Sequence, residues 1–481
     1  MDLRRSASHP VASLIAILLA LSAPPPARAT EAESLVEAFT DDAALRGVTV
    51  GVAVAELPDG HILAEHGADR VLFPASGAKL LTVASALRRL DPGTLWTTRV
   101  HGDVEGGVVA RALVLVGGGD PKLLPGDISA LADAVATRGV RSVRGGVIVD
   151  ATRHDEACLP PAYDEKDTDA GYRASVGAAA SNFGAIRVIV RGSKRAGRAV
   201  IVSLDPSTDA VEVHNEARTV SGRGEGVSVA ASALDDGRTL VTVRGSLGPR
   251  RFGLNERLRV ADPDLLSGYL LAEALRRRGV TVDGPIRVRR RASEPLPPEL
   301  ARHDSGSLAD VVRDTNTWSN NFMAELLFRE LGRGPAGEPA TWERARGAVT
   351  DTLVALGLPR EQFQVVNGSG LYHATRISPR AMVQLLVAMA ADPEHARTFR
   401  ESLAIAGTTG TLSHRLRGPA TRGRVLAKTG TLDEVVSLSG YLTTRSDRHL
   451  AFAVFINEGS PDRTSALRAA IDRLITRLAA L

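Results

Sequence analysis

Pro74-Ala75-Ser76-Gly77-Ala78-Lys79 opens a stretch in which Leu80, Leu81, Val83, Ala84, Leu87 and Leu90 recur at helical spacing until Asp91-Pro92-Gly93 ends it. The pattern predicts a helix with Ser76 in its first turn. Residues three apart share a helix face, so the Lys79 amine lies one turn from the Ser76 hydroxyl. A neutral amine there takes the hydroxyl proton and turns Ser76 into a nucleophile. The positive end of the helix favours the negative charge that develops on the oxygen.

Two fixed residues match by chance about once or twice in a chain this size, so the use of lysine matters. The 59 basic residues include five lysines, Lys79, Lys122, Lys166, Lys194 and Lys428, and of these only Lys79 has serine three positions before it. Arginine keeps its proton near neutrality and lysine can lose it, so a chain that otherwise writes arginine keeps lysine where chemistry requires it.

Upstream of this helix, residues 48–56 and 61–64 flank Asp59-Gly60 and read as a hairpin. Far downstream, residues 424–431, 435–444 and 450–457 read as strands, and residues 464–481 as an amphipathic helix with Leu467, Ile471, Leu474, Ile475 and Leu478 on its apolar side. Both ends therefore supply one antiparallel sheet flanked by helices. Between them, residues 99–291 hold short Val-rich segments parted by Gly, Pro and Asp: 108–117, 145–150, 186–191, 199–204, 210–215, 226–231 and 238–245. Helical signal returns at residues 264–279 and again from Ser307. The fold expected is an α/β (α+β) domain interrupted by a long, mostly β insertion, with the Pro-rich residues 294–299 as the link back.

Met1-Asp2-Leu3-Arg4-Arg5, an apolar run over residues 11–23 and then Ala27-Arg28-Ala29 have the order of a secretory signal cleaved after Ala29. The apolar run is shorter than the ~20 residues a bilayer needs and is followed by Pro24, Pro25 and Pro26. Residues 30–481 are expected to work outside the cytoplasm, periplasmic or otherwise secreted, with no stable transmembrane anchor after cleavage. Cys158 is the only cysteine, which excludes an intramolecular disulfide, and the eleven histidines hold no close pair at zinc-ligand spacing. No metal and no cofactor is expected. The basic runs Arg276 to Arg278 and Arg289 to Arg291 read as a helix end and a solvated strand edge, so no nucleic acid is expected either.

Two further clusters complete the chemistry. Thr317-Trp318-Ser319-Asn320-Asn321 lies between two helical patterns, where a hydroxyl and an amide two residues apart can point into one cleft; taken alone, the tripeptide reads rather as a helix cap supplied by Ser319 or Asn320. Ala427-Lys428-Thr429-Gly430-Thr431 lies on a strand, where side chains alternate and Lys428 faces away from Thr429 unless the strand edge lines a cleft. An edge carrying a cation, hydroxyls and unpaired amides suits a peptide that ends in a carboxylate.

Together the three resemble the Ser-x-x-Lys, Ser-x-Asn and Lys-Thr-Gly set of penicillin-binding proteins and serine β-lactamases. Ser76 and Ser319 are 243 residues apart, and Ser319 and Lys428 are 109 apart. Compact β-lactamases place their second motif soon after the first, so the long insertion resembles the low-molecular-mass class C penicillin-binding proteins, the D-alanyl-D-alanine carboxypeptidase/endopeptidase family. Supporting segments of that family appear as Gly117-Gly118-Gly119-Asp120-Pro121, Asn367-Gly368-Ser369-Gly370-Leu371 and Ala406-Gly407-Thr408-Thr409-Gly410-Thr411-Leu412. The family commonly has Asp-Gly-Ser-Gly-Leu followed by Ser and Arg, where this chain has Asn367 at the start and Tyr372-His373 at the end.

The resemblance implies a transpeptidase-like catalytic domain over residues 30–97 and 301–481, an inserted β-rich domain over 98–119 and 189–300, and a third domain nested in it over 120–188. It implies that Ser76 attacks the penultimate D-Ala carbonyl of peptidoglycan stem peptides ending in D-Ala-D-Ala, with Lys79 as base and Ser319 as proton relay. Asn321 holds the substrate amide. Lys428, Thr429 and Thr431 bind the terminal carboxylate beside Gly430, and the amides of Ser76 and Thr431 form an oxyanion hole. β-Lactam antibiotics acylate Ser76. Desolvation and a nearby cation, for which Lys428 is the candidate, are expected to lower the Lys79 pKa, and Asp164, Glu165, Asp167 and Asp169 are candidates to meet a free amino group of the stem peptide. The rival expectations are a β-lactamase or esterase on the same scaffold and a non-catalytic peptidoglycan-binding protein.

Overall fold

The computed structural model describes residues 30–291 and 295–481; the signal expected over residues 1–29 and the start of the Pro-rich link at Glu294 lie outside them. Six strands form an antiparallel sheet in the order Ile62–His66, Thr49–Glu56, His449–Asn457, Val435–Thr443, Val425–Leu432 and Ala404–Ile405. Both chain ends meet in it as expected, since Thr49–Glu56 pairs along its length with His449–Asn457.

Alternation along these strands feeds two cores. Val52, Val54, Phe452, Val454 and Ile456 pack with the helices Glu31–Thr40 and Thr464–Leu478 on one face. Ala53, Ala55, Ala451, Ala453 and Phe455 face the other way, onto a layer that contains Lys79–Arg89, Asn321–Glu330 and Pro379–Ala391. Small alanines on that face let the helices approach closely. A sheet covered on both faces reads as nearly continuous apolar runs, and His449–Asn457 is buried at every residue after the first.

The insertion has more helix than its Val-rich segments announce. A five-stranded mixed sheet in the order Ile286–Arg289, Val147–Asp150, Leu113–Val116, Thr97–His101 and Glu299–Asp304 is accompanied by the helices Pro125–Thr137 and Pro263–Arg276. The first of these helices was absent from the expectation, because its apolar residues Ile128, Leu131, Ala132 and Val135 sit among small and polar ones. Strand pairing runs across the expected boundaries at 119/120 and 188/189, for Val147–Asp150 lies between Leu113–Val116 and Ile286–Arg289. The Val-rich segment over residues 108–117 holds two strands, Val108–Val109 and Leu113–Val116.

The insertion also holds a four-stranded sheet built on Thr239–Leu247, a three-stranded one of Phe252–Arg259, Ala185–Arg191 and Ile201–Asp205, and a short three-stranded one of Thr281–Val282, Ser142–Val143 and Val108–Val109. The Pro-rich link ends in structure, since Glu299–Asp304 pairs with Thr97–His101 and closes the insertion where it began. The basic runs are engaged internally: Arg289 with Asp150, Arg290 with Asp262 and Asp264, Arg291 with Glu156, and Arg278 with Asp133. Among the described residues no helix is long and apolar enough to cross a membrane.

Candidate active site

Ser76 does not begin the α-helix itself. It sits on a 3₁₀ turn, Ala75–Ala78, from which the α-helix Lys79–Arg89 continues. Three residues per turn stack Ser76 and Lys79 more nearly in line than an α-helix does. Ala75 takes φ +47°, a left-handed conformation that a residue with a Cβ adopts at a cost. The Ser437 hydroxyl donates to the Pro74 carbonyl at 2.6 Å and holds the turn against the sheet.

The Lys79 side chain is fully buried. Its Nζ lies 2.9 Å from Ser76 Oγ, 2.8 Å from Asn321 Oδ1 and 2.9 Å from the Ser369 carbonyl. A neutral amine has two N–H donors and one lone pair. The amide and carbonyl oxygens take the two donors, which leaves the lone pair for the Ser76 O–H, the arrangement a base requires. Burial pushes the Lys79 pKa down to about 7, against the opposing pull of the Glu325 carboxylate. Burial and a nearby cation, Lys428, were expected to lower it together; burial does so, and only the cation's part is corrected, since it is Lys428 that is driven well below its usual value, first by burial and then by Lys79.

Ser319 and Asn321 come from the break between the helices Leu308–Thr317 and Asn321–Glu330. Asn320 caps the second helix, its side chain accepting from the Met323 N–H at 3.0 Å. That frees Ser319, at φ +58°, to accept a hydrogen bond from Lys428 Nζ at 2.8 Å. Asn321 holds Lys79 through Oδ1 and donates through Nδ2 to the Tyr172 carbonyl at 3.0 Å.

The strand Val425–Leu432 is second in its sheet, but the short strand beside it pairs only at Leu426 and Ala427, so residues 428–432 form an edge on that side. Lys428 turns to the buried side and also donates to the Thr429 carbonyl at 2.9 Å. Thr431 lines the cleft. The Thr429 hydroxyl beside it donates to Thr411 Oγ1 at 2.9 Å. A Cβ on Gly430 would lie 2.2 Å from Ser437 Oγ and 2.3 Å from the Pro74 carbonyl. Only glycine lets the Ser76 turn sit this close to the strand.

Four participants were missed. Glu325, fully buried one helical turn beyond Asn321, accepts the backbone N–H groups of Gly368 at 3.0 Å and Ser369 at 2.7 Å, and burial pushes its pKa up. The Tyr163 hydroxyl meets Ser369 Oγ at 2.9 Å and donates to Glu325 at 3.3 Å. The Ser369 carbonyl binds Lys79, and the Tyr172 carbonyl orients Asn321. A carboxylate in the otherwise apolar run Phe322-Met323-Ala324-Glu325-Leu326-Leu327-Phe328 was the available signal. Asn367 fills the place of the usual Asp, accepting from the Gly370 N–H at 2.9 Å.

Ser76, Tyr172, Ser319, Asn321, Tyr372 and Thr431 border a cleft of about 360 Å³. Lys166 and Asp433 pair at 2.5 Å on its wall. The four acidic residues do not act as a cluster. Glu165 pairs with His373 at 3.2 Å, Asp169 accepts from the Ala231 N–H, and Asp164 and Asp167 are exposed. Cys158 is held as a thiol by burial, its pKa pushed up to about 11. Among the described residues no group of three or more His, Cys, Asp or Glu side chains is arranged to hold a metal ion.

Residues 32–478 match the model of the D-Ala-D-Ala carboxypeptidase 3 (S13) family. A D-alanyl-D-alanine carboxypeptidase of an Actinomadura species is 32% identical over 459 residues, which cover 92% of this chain and 84% of that one. The crystal structure of penicillin binding protein 4 from Haemophilus influenzae superposes with a TM-score of 0.81 at 22% identity, covering 93% of this chain and 99% of that one. The same protein complexed with a β-lactam gives 0.75 at 23% identity, covering 93% and 98%.

Proposed function

The chain belongs to the D-Ala-D-Ala carboxypeptidase 3 (S13) family, and from that premise we propose that Ser76 is its nucleophile, Lys79 its base and Ser319 its proton relay. The enzyme is a serine-type D-alanyl-D-alanine carboxypeptidase/endopeptidase. The observation that supports the residue roles is the placement of Lys79 Nζ, 2.9 Å from Ser76 Oγ with the Asn321 and Ser369 oxygens beside it to take the two N–H donors of a neutral amine.

Ser76 Oγ attacks the carbonyl of the penultimate D-Ala as Lys79 takes its proton. The amides of Ser76 and Thr431 hold the oxyanion where charge develops. The C–N bond then breaks. The proton reaches the departing amine through Ser319, which Lys428 orients at 2.8 Å. Asn321 holds the substrate amide, and Lys428 with Thr429, Gly430 and Thr431 receives the terminal carboxylate. A carboxylate arriving beside Lys428 favours its charged form, against the burial that lowers its pKa. Water releases the acyl group and restores Ser76. β-Lactams enter the same path and stop at the acyl-enzyme.

The substrate is the stem peptide of peptidoglycan, and the site of action is the periplasm or the cell exterior, reached through the leader over residues 1–29. Incubating the purified protein with a pentapeptide ending in D-alanyl-D-alanine tests the reading. Release of D-alanine by the wild type, absent in Ser76→Ala, is the expected result. Equal release by both would overturn the assignment.

A further inference from the structure

Beside the cleft lies a second cavity of about 630 Å³ that shares Tyr172, Ser319 and Asn321 with it. Its farther wall comes from the insertion: Glu256, Arg257 and Leu258 of the strand Phe252–Arg259, with Phe183. This wall is built in place. The Arg257 guanidinium donates to the Asn182 carbonyl at 2.9 Å and lies over the Phe183 ring, 5.4 Å from its centroid. Phe183 meets Phe322 edge-on at 6.1 Å. Asn182 and Phe183 are held at φ +52° and +60°, left-handed conformations that persist only where the surroundings enforce them.

We infer that this cavity receives the peptide arm that departs when a cross-link is cut. The inference rests on the carboxypeptidase/endopeptidase reading above. Removing a terminal D-Ala releases one small amino acid, and the 360 Å³ cleft has room for it. Cutting a cross-link breaks the same kind of C–N bond: the acyl group passes to Ser76 Oγ, and the Ser76 proton, carried by Lys79 and Ser319, goes to the leaving nitrogen. That nitrogen now belongs to a whole second peptide. Space for it must begin where the leaving amine is protonated, and the larger cavity begins at Ser319. Its size is within the range of about 300–1,000 Å³ typical of ligand sites. The walls suit the cargo. Tyr172, 55% exposed, and Phe183 offer faces to aliphatic carbons, and Arg257 offers a guanidinium to a peptide carboxylate.

The test compares two substrates, a linear pentapeptide ending in D-alanyl-D-alanine and a purified cross-linked peptide dimer, in the full-length wild type, in Arg257→Glu and in Val229→Trp, which fills the cavity from its wall on the strand Gly226–Ala233. We expect kcat/KM for the dimer to fall about tenfold or more in each variant, while that for the pentapeptide stays within about twofold. The unchanged pentapeptide rate shows that the variant is folded. Dimer cleavage at the wild-type rate in both variants overturns the inference, as does an equal fall for both substrates. A wild type that cuts the pentapeptide and not the dimer overturns it while leaving carboxypeptidase activity intact; one that cuts neither refutes the parent reading and the inference together. Binding of peptide-free glycan strands, lost in Arg257→Glu, would assign the cavity to sugar and so overturn it as well.

Discussion

The Glu325 carboxylate accepts the Ser369 backbone N–H at 2.7 Å, which turns the Ser369 carbonyl toward Lys79 Nζ at 2.9 Å. A buried charge thus fixes Lys79 through the backbone of one residue and also acts on it at a distance, opposing the fall in its pKa. Glu325→Gln should therefore move the acidic limb of the kcat/KM profile to lower pH, because removing a negative charge makes Lys79 easier to deprotonate. A limb left in place, measured by D-alanine release across pH 5 to 9, would show that Glu325 acts only as a brace.

In the wild type that limb should have its midpoint near pH 7. Lys79 works only after losing its proton, so activity rises as pH passes through its lowered pKa of about 7. A profile still rising in proportion to hydroxide up to pH 10 would mean that the amine keeps an ordinary lysine pKa.

Lys79→Arg keeps the positive charge and cannot deprotonate near neutrality. Acylation by fluorescent penicillin should slow by about 10²- to 10⁴-fold, the range general-base catalysis contributes. Ser76→Ala should not be labelled at all. Labelling near the wild-type rate in either variant contradicts its assigned role.

Gly430→Ala places a methyl carbon against Ser437 Oγ and the Pro74 carbonyl. Overpacking of this kind costs about 1–3 kcal/mol, and relief requires the Ser76 turn to move away from the strand. Denaturant unfolding should show the loss of stability and penicillin acylation should slow in the same protein. Unchanged acylation would mean that the turn tolerates displacement.

Lys428→Met removes the amine that Ser319 and an incoming carboxylate share. The wild type should prefer a free C-terminal carboxylate over its amide, and the variant should lose most of that preference. If the ratio of the two kcat/KM values is unchanged, the carboxylate is bound elsewhere.

The catalytic sheet was legible because period-two apolar runs at both ends are long and bounded by clear turns, as in residues 48–64 and 424–457. The helix Pro125–Thr137 was not, since alanine-rich turns on a surface carry little periodic contrast. Ser76 and Lys79 needed only local spacing. Thr429 shows where local reasoning ended: its hydroxyl donates to Thr411, 18 residues earlier, a partner that no spacing within the motif names.

The sequence by itself determined the spacing that sets Ser76 beside Lys79, the order of the three motifs and the presence of a long insertion, because each depends on neighbours within a few residues or on simple distance along the chain. Tertiary structure alone decided which partners complete them. Asn321 reaches Lys79 across 242 positions, Ser369 reaches it across 290, and Lys428 reaches Ser319 across 109. No local preference encodes such contacts. They exist because the sheet and its covering helices bury both lysines, and a buried amine keeps its place only where oxygen atoms from distant segments meet its hydrogens.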